Sequence, residues 1–135
     1  MLLLDSSVWI DIHRARATAA TRYVEAREEH EEIATAGVIF QEVLQGIRSD
    51  SEYEYMRQVL WSTLILQPRE LSTYDVAAQL HRTAQAAGFT VRKPSHCLVA
   101  ALALENGALL VHNDRDFFAL AQIEPALMIY PGPSH

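Results

Sequence analysis

Short apolar runs alternate along the whole chain with longer segments whose apolar residues recur every three or four positions. The short runs are typical of buried strands; they are "LLL" at the N terminus, "EIATA", "LIL", "ALLVH" and "ALMIY". The longer segments are typical of amphipathic helices and cover residues 17–31, 37–47, 51–62, 71–88, 95–107 and 114–122. This alternation predicts an α/β fold with a central, mainly parallel sheet of about five strands and helices on both faces.

Two of the predicted helices have recognisable ends. Ser72, followed by Asp75, predicts an N-terminal cap close to a capping box, and Gly88 predicts the end of that helix. Ser95 is the predicted cap of the next helix, which ends at Asn106-Gly107.

Composition narrows the class of protein. A chain of 135 residues, half of them hydrophobic, predicts one domain over 1–135 with its own core. A single cysteine forms no internal disulfide, which favours a reduced, cytoplasmic setting. No apolar run approaches the roughly 20 residues of a membrane span, and no basic segment precedes the first apolar run, so we expect no membrane contact and no signal peptide.

The net charge of −6 argues against binding nucleic acid through a broadly basic surface. If the partner is a nucleic acid, a metal ion or a local arginine cluster must attract it.

Acidic residues follow two of the predicted strands. Asp5 ends the first strand, and Asp114 and Asp116 follow "LLVHN" after the fourth. The carboxyl ends of parallel strands meet at one edge of a sheet, where ligands bind. Each aspartate has a second possible role as the cap of the following helix, and for Asp116 capping is the favoured role at this point.

Glu42 interrupts an otherwise apolar helix between Phe40 and Val43. It lies either on the solvent face or in the same acidic group. Carboxylates gathered at one site repel one another unless a cation neutralises them, and oxygen ligands favour Mg²⁺ or Mn²⁺.

The pair His96–Cys97 stands at the start of an apolar helix, in "KPSHCLVAA". It is either a metal or catalytic pair or ordinary packing at a helix start, and the local sequence does not separate these interpretations.

Three segments, "LLLDSSVWID", "FQEVLQGI" and "HCLVAALALENGALLVHNDRDF", resemble in order and spacing the PIN-domain ribonucleases, and more closely the VapC-type toxins of type II toxin–antitoxin systems. The resemblance covers nearly the whole chain. It implies a three-layer PIN-like fold and a metal-dependent endoribonuclease that cuts single-stranded segments of structured RNA, of the tRNA or rRNA class. It also implies a homodimer inhibited by a VapB-like antitoxin.

The resemblance also implies roles for individual residues. Asp5, Glu42 and Asp114 match the catalytic acids that bind Mg²⁺ or Mn²⁺, and Asp116 matches the accessory metal-binding acid. Ser6 matches a small hydroxyl residue that hydrogen-bonds within the site.

The chain departs from the family at the third acid, whose position before "CLVAA" is occupied by His96. As a metal ligand, an imidazole favours Mn²⁺ or another transition metal over Mg²⁺. It also removes one negative charge, so the alternative is a weakened or inactive site that binds RNA or antitoxin without efficient cleavage. In either case Cys97 is expected to pack inward.

A receiver-like phosphoacceptor domain is the competing class. It would require paired acids after the first strand and a lysine late in the chain. Asp5 stands alone there, and the only lysine, Lys93, precedes a helix, so this class is disfavoured.

Overall fold

The computed structural model describes residues 1–132. Five strands alternate with helices along this part of the chain. The strands are β1 (Leu2–Leu4), β2 (Ile33–Ala36), β3 (Leu64–Leu66), β4 (Leu109–Val111) and β5 (Ile129–Tyr130). The helices are α1 (Ser6–His13), α2 (Ala19–Arg27), α3 (Gly37–Gln45), α4 (Asp50–Trp61), α5 (Leu71–Ala86), α6 (Pro94–Asn106) and α7 (Asp116–Ile123).

The strands form one sheet in the order β3-β2-β1-β4-β5, and every pairing is parallel. The central strand β1 is buried along its whole length, as its uninterrupted leucines require. Leu4 lies opposite Val111, so β1 and β4 end side by side at the same edge of the sheet. The predicted α/β fold with a parallel five-stranded sheet is confirmed.

The helices fall into two groups by their contacts. Helices α1 to α4 contact one another in sequence or through α3, and α5, α6 and α7 form a second mutually packed group. Right-handed crossovers place these groups on opposite faces, because the chain moves outward from β1 to β3 and then returns to β4 and β5. Helices α3 and α6 also contact each other. This contact joins the two helical layers.

Two predicted helix caps are wrong. Helix α5 begins at Leu71 with Glu70 at the cap position, so Ser72 lies inside the helix. Helix α6 begins at Pro94 with Lys93 at the cap position, so Ser95 is also inside. Proline suits the first helical position, since its fixed φ is helical and its missing N–H has no partner there. The predicted end of α6 is confirmed, because Gly107 adopts a left-handed conformation with φ of 61°.

No helix within residues 1–132 has both the length and the apolar character needed to cross a lipid bilayer.

Candidate active site

The crevice between the ends of β1 and β4 is the point at which the sheet changes direction. From β1 the sheet continues to β2 and β3, and from β4 it continues to β5 on the other side. The Asp5 amide donates to the Val111 carbonyl across this point, with an N···O distance of 2.9 Å. Ligands of open parallel sheets bind at such a switch point. The predicted candidates at the ends of β1 and β4 therefore flank one crevice.

Asp5 is 1% exposed and serves as the N-cap of α1. Its Oδ2 accepts hydrogen bonds from the Ser7 amide (3.1 Å) and the Ser7 hydroxyl (2.7 Å). Its Oδ1 is buried and has no hydrogen-bond partner within residues 1–132. Burying a carboxylate oxygen without a partner is costly unless a cation compensates it. Asp5 thus combines the two roles that the sequence left open: one oxygen caps the helix and the other is available.

The hydroxyl that contacts Asp5 belongs to Ser7 and corrects the expectation for Ser6. Ser6 is buried beside it, and its hydroxyl makes no hydrogen bond in the described part of the chain. The Ser7 hydroxyl also accepts from the Asn113 amide (3.1 Å), so it links the ends of β1 and β4. The sequence carried a signal for this contact, because a capping aspartate commonly accepts from the residue two positions later.

Glu42 reaches the same region from α3. It is half-buried, and its Oε1 has no hydrogen-bond partner within residues 1–132. Burial raises the pKa of the Glu42 carboxyl, and the charge of Asp5 raises it further. Lys93, His96 and the Ser95 hydroxyl act in the opposite direction. Glu42 is therefore electrostatically coupled both to the end of β1 and to the start of α6, and it does not lie on a solvent face.

His96 pairs with Asp116. The distance from His96 Nδ1 to Asp116 Oδ2 is 2.7 Å, and the two residues are 1% and 3% exposed. The same carboxylate oxygen accepts from the amides of Arg92 (3.0 Å) and Lys93 (3.3 Å). A carboxylate oxygen only accepts, so His96 donates from Nδ1, and Nε2 is the ring nitrogen that this hydrogen bond leaves unused. The His96 ring packs on Phe117 at 4.6 Å between centroids, which restricts its rotation.

Asp116 does not cap α7, so the favoured capping role is wrong. The Asp116 amide donates instead to Asp114 Oδ1 (2.9 Å), which leaves the Asp116 side chain free to turn inward. Its partners, Arg92, Lys93 and His96, lie 20 to 24 residues earlier in the chain. A prediction that considers only the residues next to Asp116 in the sequence cannot include these distant partners.

His112 positions the Asp114 backbone. Its Nε2 donates to the Pro131 carbonyl (2.9 Å), and its Nδ1 accepts from the Asp114 amide (3.2 Å). Burial lowers the pKa of His112, which favours the neutral ring that this arrangement requires. Both ring nitrogens are occupied, so His112 is a support residue.

Cys97 takes no part in the His96 arrangement. It is buried, and burial followed by the charge of Asp116 raises the pKa of its thiol to about 11. A thiol with this pKa stays protonated at neutral pH and is a poor ligand and nucleophile. The expectation that Cys97 packs inward is confirmed. Of the two residues in the His96–Cys97 pair, Cys97 is therefore an ordinary packing residue.

The donor set fits a divalent cation. Single ligand atoms from His96, Asp114 and Asp116 lie within 4.8 Å of one another. The oxygens of Asp5 and Glu42 that lack a partner within residues 1–132 belong to the same electrostatic neighbourhood, since Asp5 and His96 both act on the Glu42 carboxyl. Four carboxylates and one imidazole form a nitrogen-and-oxygen set suited to Mn²⁺ as well as to Mg²⁺.

The PIN domain family model matches residues 2–123, which include every acidic residue described above and His96. The chain belongs to the PIN domain family. Two curated relatives are a VapC ribonuclease, Mb1587, of Mycobacterium bovis and ribonuclease VapC11 of Mycobacterium tuberculosis. Each is 35% identical over 127 residues, covering 91% of this chain and 93% of the relative.

Solved structures have the same fold at lower identity. VapBC2 from Rickettsia felis, bound to a DNA fragment from its promoter, matches with a TM-score of 0.73 and 17% identity over 95% of this chain and 96% of that one. VapBC-1 from Haemophilus influenzae matches with a TM-score of 0.71 and 17% identity over 95% of both chains. These similarities support the three-layer PIN fold.

Proposed function

We propose that this PIN domain is a VapC-type toxin, a metal-dependent endoribonuclease that cleaves structured RNA. The observation that carries the proposal is a pair of buried carboxylate oxygens, from Asp5 and Glu42, that have no partner within residues 1–132, together with the His96–Asp114–Asp116 group, whose His96 acts electrostatically on Glu42. A cation is the simplest compensation for that charge. The curated relatives are named ribonucleases, which favours RNA among phosphodiester substrates.

We assign the cation to Asp5, Glu42, Asp114 and Nε2 of His96, with Mn²⁺ or Mg²⁺ as the ion. Asp116, expected as the accessory metal-binding acid, is assigned to hold His96, because its Oδ2 already accepts three hydrogen bonds. When bound, such an ion neutralises phosphate charge and lowers the pKa of a water for in-line attack. The chain's own residues prepare the site. Ser7 fixes one oxygen of Asp5 and so directs the other towards the crevice. Asp116 holds His96 through Nδ1, so Nε2 is the ring nitrogen left for a metal ion.

A weakened nuclease is the second candidate, and His96 is the observation that favours it. An imidazole in place of a carboxylate lowers the negative charge of the cluster and its attraction for a hard cation. Such a domain would bind RNA or antitoxin with little cleavage.

We propose a VapB-like antitoxin as the protein partner and a homodimer as the working form. The matched Rickettsia felis and Haemophilus influenzae structures are of VapBC systems, and another match is a toxin–antitoxin complex from Klebsiella pneumoniae. An antitoxin arginine entering the crevice would pair with its carboxylates, since a guanidinium binds carboxylates bidentately.

Cleavage of total RNA by Asp5→Asn and Asp114→Asn variants in Mn²⁺ tests the proposal. The amides preserve the hydrogen bonds to Ser7 and to the Asp116 amide while removing charge. We expect cleavage to fall at least about 100-fold, because even residues that only orient a metal ligand cost 10- to 100-fold. The control is Asp75→Asn on the exposed side of α5. Native-rate cleavage by Asp5→Asn would exclude this site, and no cleavage by the native chain would favour the weakened nuclease.

A further inference from the structure

A cavity of about 650 Å³ includes Asp116, one of the acidic residues described above, in its wall. Its walls come from the segment before α6 and from the start of α7, and they include Phe89, Arg92, Arg115 and Phe118. Asp116 also lines it, while its Oδ2 is bonded to His96. The Asp116 carboxylate therefore belongs both to the wall of this cavity and to the His96–Asp114–Asp116 group. The volume lies in the range of pockets that hold small ligands.

The two arginines of this cavity have no acidic partner in the described part of the chain. Both are exposed, and within residues 1–132 neither guanidinium lies within 4 Å of a carboxylate. Arg16, in contrast, is paired with Asp11 at 3.8 Å. In a chain of net charge −6, two such guanidiniums beside a carboxylate cluster form a local anion site.

The backbone that carries Arg92 is fixed. Asp116 accepts the Arg92 and Lys93 amides, so the carboxylate that orients His96 also anchors the segment that presents the Arg92 guanidinium. An arginine on an anchored backbone loses less freedom when it binds a phosphate.

The cavity also offers aromatic surface. Phe89 and Phe118 are half-buried on its walls, and Phe118 is held edge-to-face against His112 at 4.9 Å. A positively charged groove with aromatic rings is the usual combination for single-stranded nucleic acid, whose unpaired bases stack on the rings.

We propose that this cavity, which we term the arginine cavity, binds the RNA strand next to the scissile phosphate. Arg92 and Arg115 contact backbone phosphates, and an unpaired base lies against Phe89 or Phe118. This inference rests on the proposed nuclease function. It accounts for how an acidic protein binds an acidic substrate: the carboxylates receive the scissile phosphate through a cation, and the adjoining phosphates pair with arginine.

Binding of a fluorescent single-stranded oligoribonucleotide, measured by anisotropy in EDTA over a range of salt concentrations, tests the proposal. The variants are Arg92→Ala, Arg115→Ala and the double variant, with Arg22→Ala on exposed α2 as the matched loss of charge. We expect each cavity variant to weaken binding and to reduce the slope of log affinity against log salt by about 0.7 for each phosphate that the variant no longer binds. Arg22→Ala should change neither, and Arg92→Lys should retain the slope.

Cleavage kinetics separate this inference from the proposed function. In Mn²⁺ we expect the cavity variants to raise KM about 10-fold or more with kcat within about 2-fold, as loss of uniform binding requires. Native KM and salt slope in the double variant would overturn the arginine cavity and leave the nuclease intact. If Arg22→Ala weakens RNA binding and reduces the salt slope as much as the cavity variants do, the arginine cavity is overturned, and binding depends on the overall charge of the protein. Arginine-dependent binding of a poly-glutamate peptide without RNA binding would assign the cavity to an acidic protein segment and overturn the RNA proposal.

Discussion

At the scale of single residues, the substitution of histidine for an acid is accommodated by a carboxylate from another helix. His96 alone would have two possible tautomers and a rotatable ring. Asp116 selects the tautomer through the 2.7 Å hydrogen bond, and Phe117 limits rotation. Metal-binding histidines commonly donate their other N–H to a carboxylate in this way, which increases the basicity of the ligating nitrogen. The same acid is poorly suited to bind the metal directly through Oδ2, since three donors already occupy that oxygen.

The first prediction concerns this division of roles. In Asp116→Ala the carboxylate oxygen that accepts from His96 Nδ1, and also from the Arg92 and Lys93 amides, is removed, so it no longer fixes a proton on His96 Nδ1. We expect the affinity for Mn²⁺, measured by calorimetry, to fall about 10- to 100-fold. The affinity for Mg²⁺ should fall by a smaller factor. Nitrogen NMR shifts of His96 in the apo protein should show loss of the Nδ1–H tautomer. A fall in affinity with an unchanged imidazole would instead make Asp116 a direct ligand.

Single residues also show where sequence reasoning reached its limit. The resemblance to PIN domains implied roles for Asp5, Glu42, His96, Asp114 and Asp116. The structure brings ligand atoms of His96, Asp114 and Asp116 within 4.8 Å of one another, and Asp5 and His96 act electrostatically on Glu42. The pairing of His96 with Asp116 was not predictable from their spacing in the sequence. It depends on how the buried Asp116 side chain is turned relative to α6, which the sequence does not specify.

At the scale of elements, strand and helix order followed from periodicity, whereas the predicted serine caps of α5 and α6 were wrong. The residue types at Ser72 and Ser95 favour caps, but the observed cap positions lie two residues earlier, at Glu70 and Lys93. The preference of a serine for the cap position is a small effect. The path by which the chain enters the helix decides which of several neighbouring residues becomes the cap. The end of α6 was predictable, since a left-handed residue is needed there and glycine adopts it without strain.

The second prediction concerns that helix end. Gly107 has φ of 61°, and a methyl group added there would meet no atom of residues 1–132 within 4 Å, so Gly107→Ala introduces backbone strain without a clash. We expect a loss of about 1 kcal/mol in the free energy of unfolding. The matched control is Gly46→Ala at the end of α3, where φ is −87° and an added methyl makes ordinary contacts. Equal stability of the two variants, measured by urea unfolding, would contradict a strained left-handed position at Gly107.

At the scale of the whole molecule, the proposed cation site gathers like charges that repel one another in the absence of an ion. Asp5 lies at the junction of β1 and α1 and Glu42 lies on α3, so the repulsion between their carboxylates acts between elements that the core holds together. Stability and function are then in opposition at this crevice. Removing one charge should stabilise the empty protein and weaken its response to metal.

Glu42→Gln provides the test of that opposition. Because the folded pKa of Glu42 is raised, the native state binds more protons than the unfolded chain above the ordinary value of 4.5, and stability is lost as pH rises through the window up to the folded pKa. In EDTA at pH 7 we expect Glu42→Gln to unfold about 2–3 °C higher than the native chain, a modest gain since water screens a half-buried group. At a pH of about 4, below the ordinary glutamate pKa, the difference should vanish.

Saturating Mn²⁺ should reverse the order of the two proteins. A ligand that binds only the folded state at 100 times its Kd adds about 2.7 kcal/mol, and the native chain should gain most of this while Glu42→Gln gains little. Glu54→Gln, on the exposed face of α4, controls for the loss of a surface charge and should follow the native chain in both conditions. If Glu42→Gln is less stable than the native chain in EDTA, Glu42 contributes to folding, and the stability of this domain does not oppose its metal site.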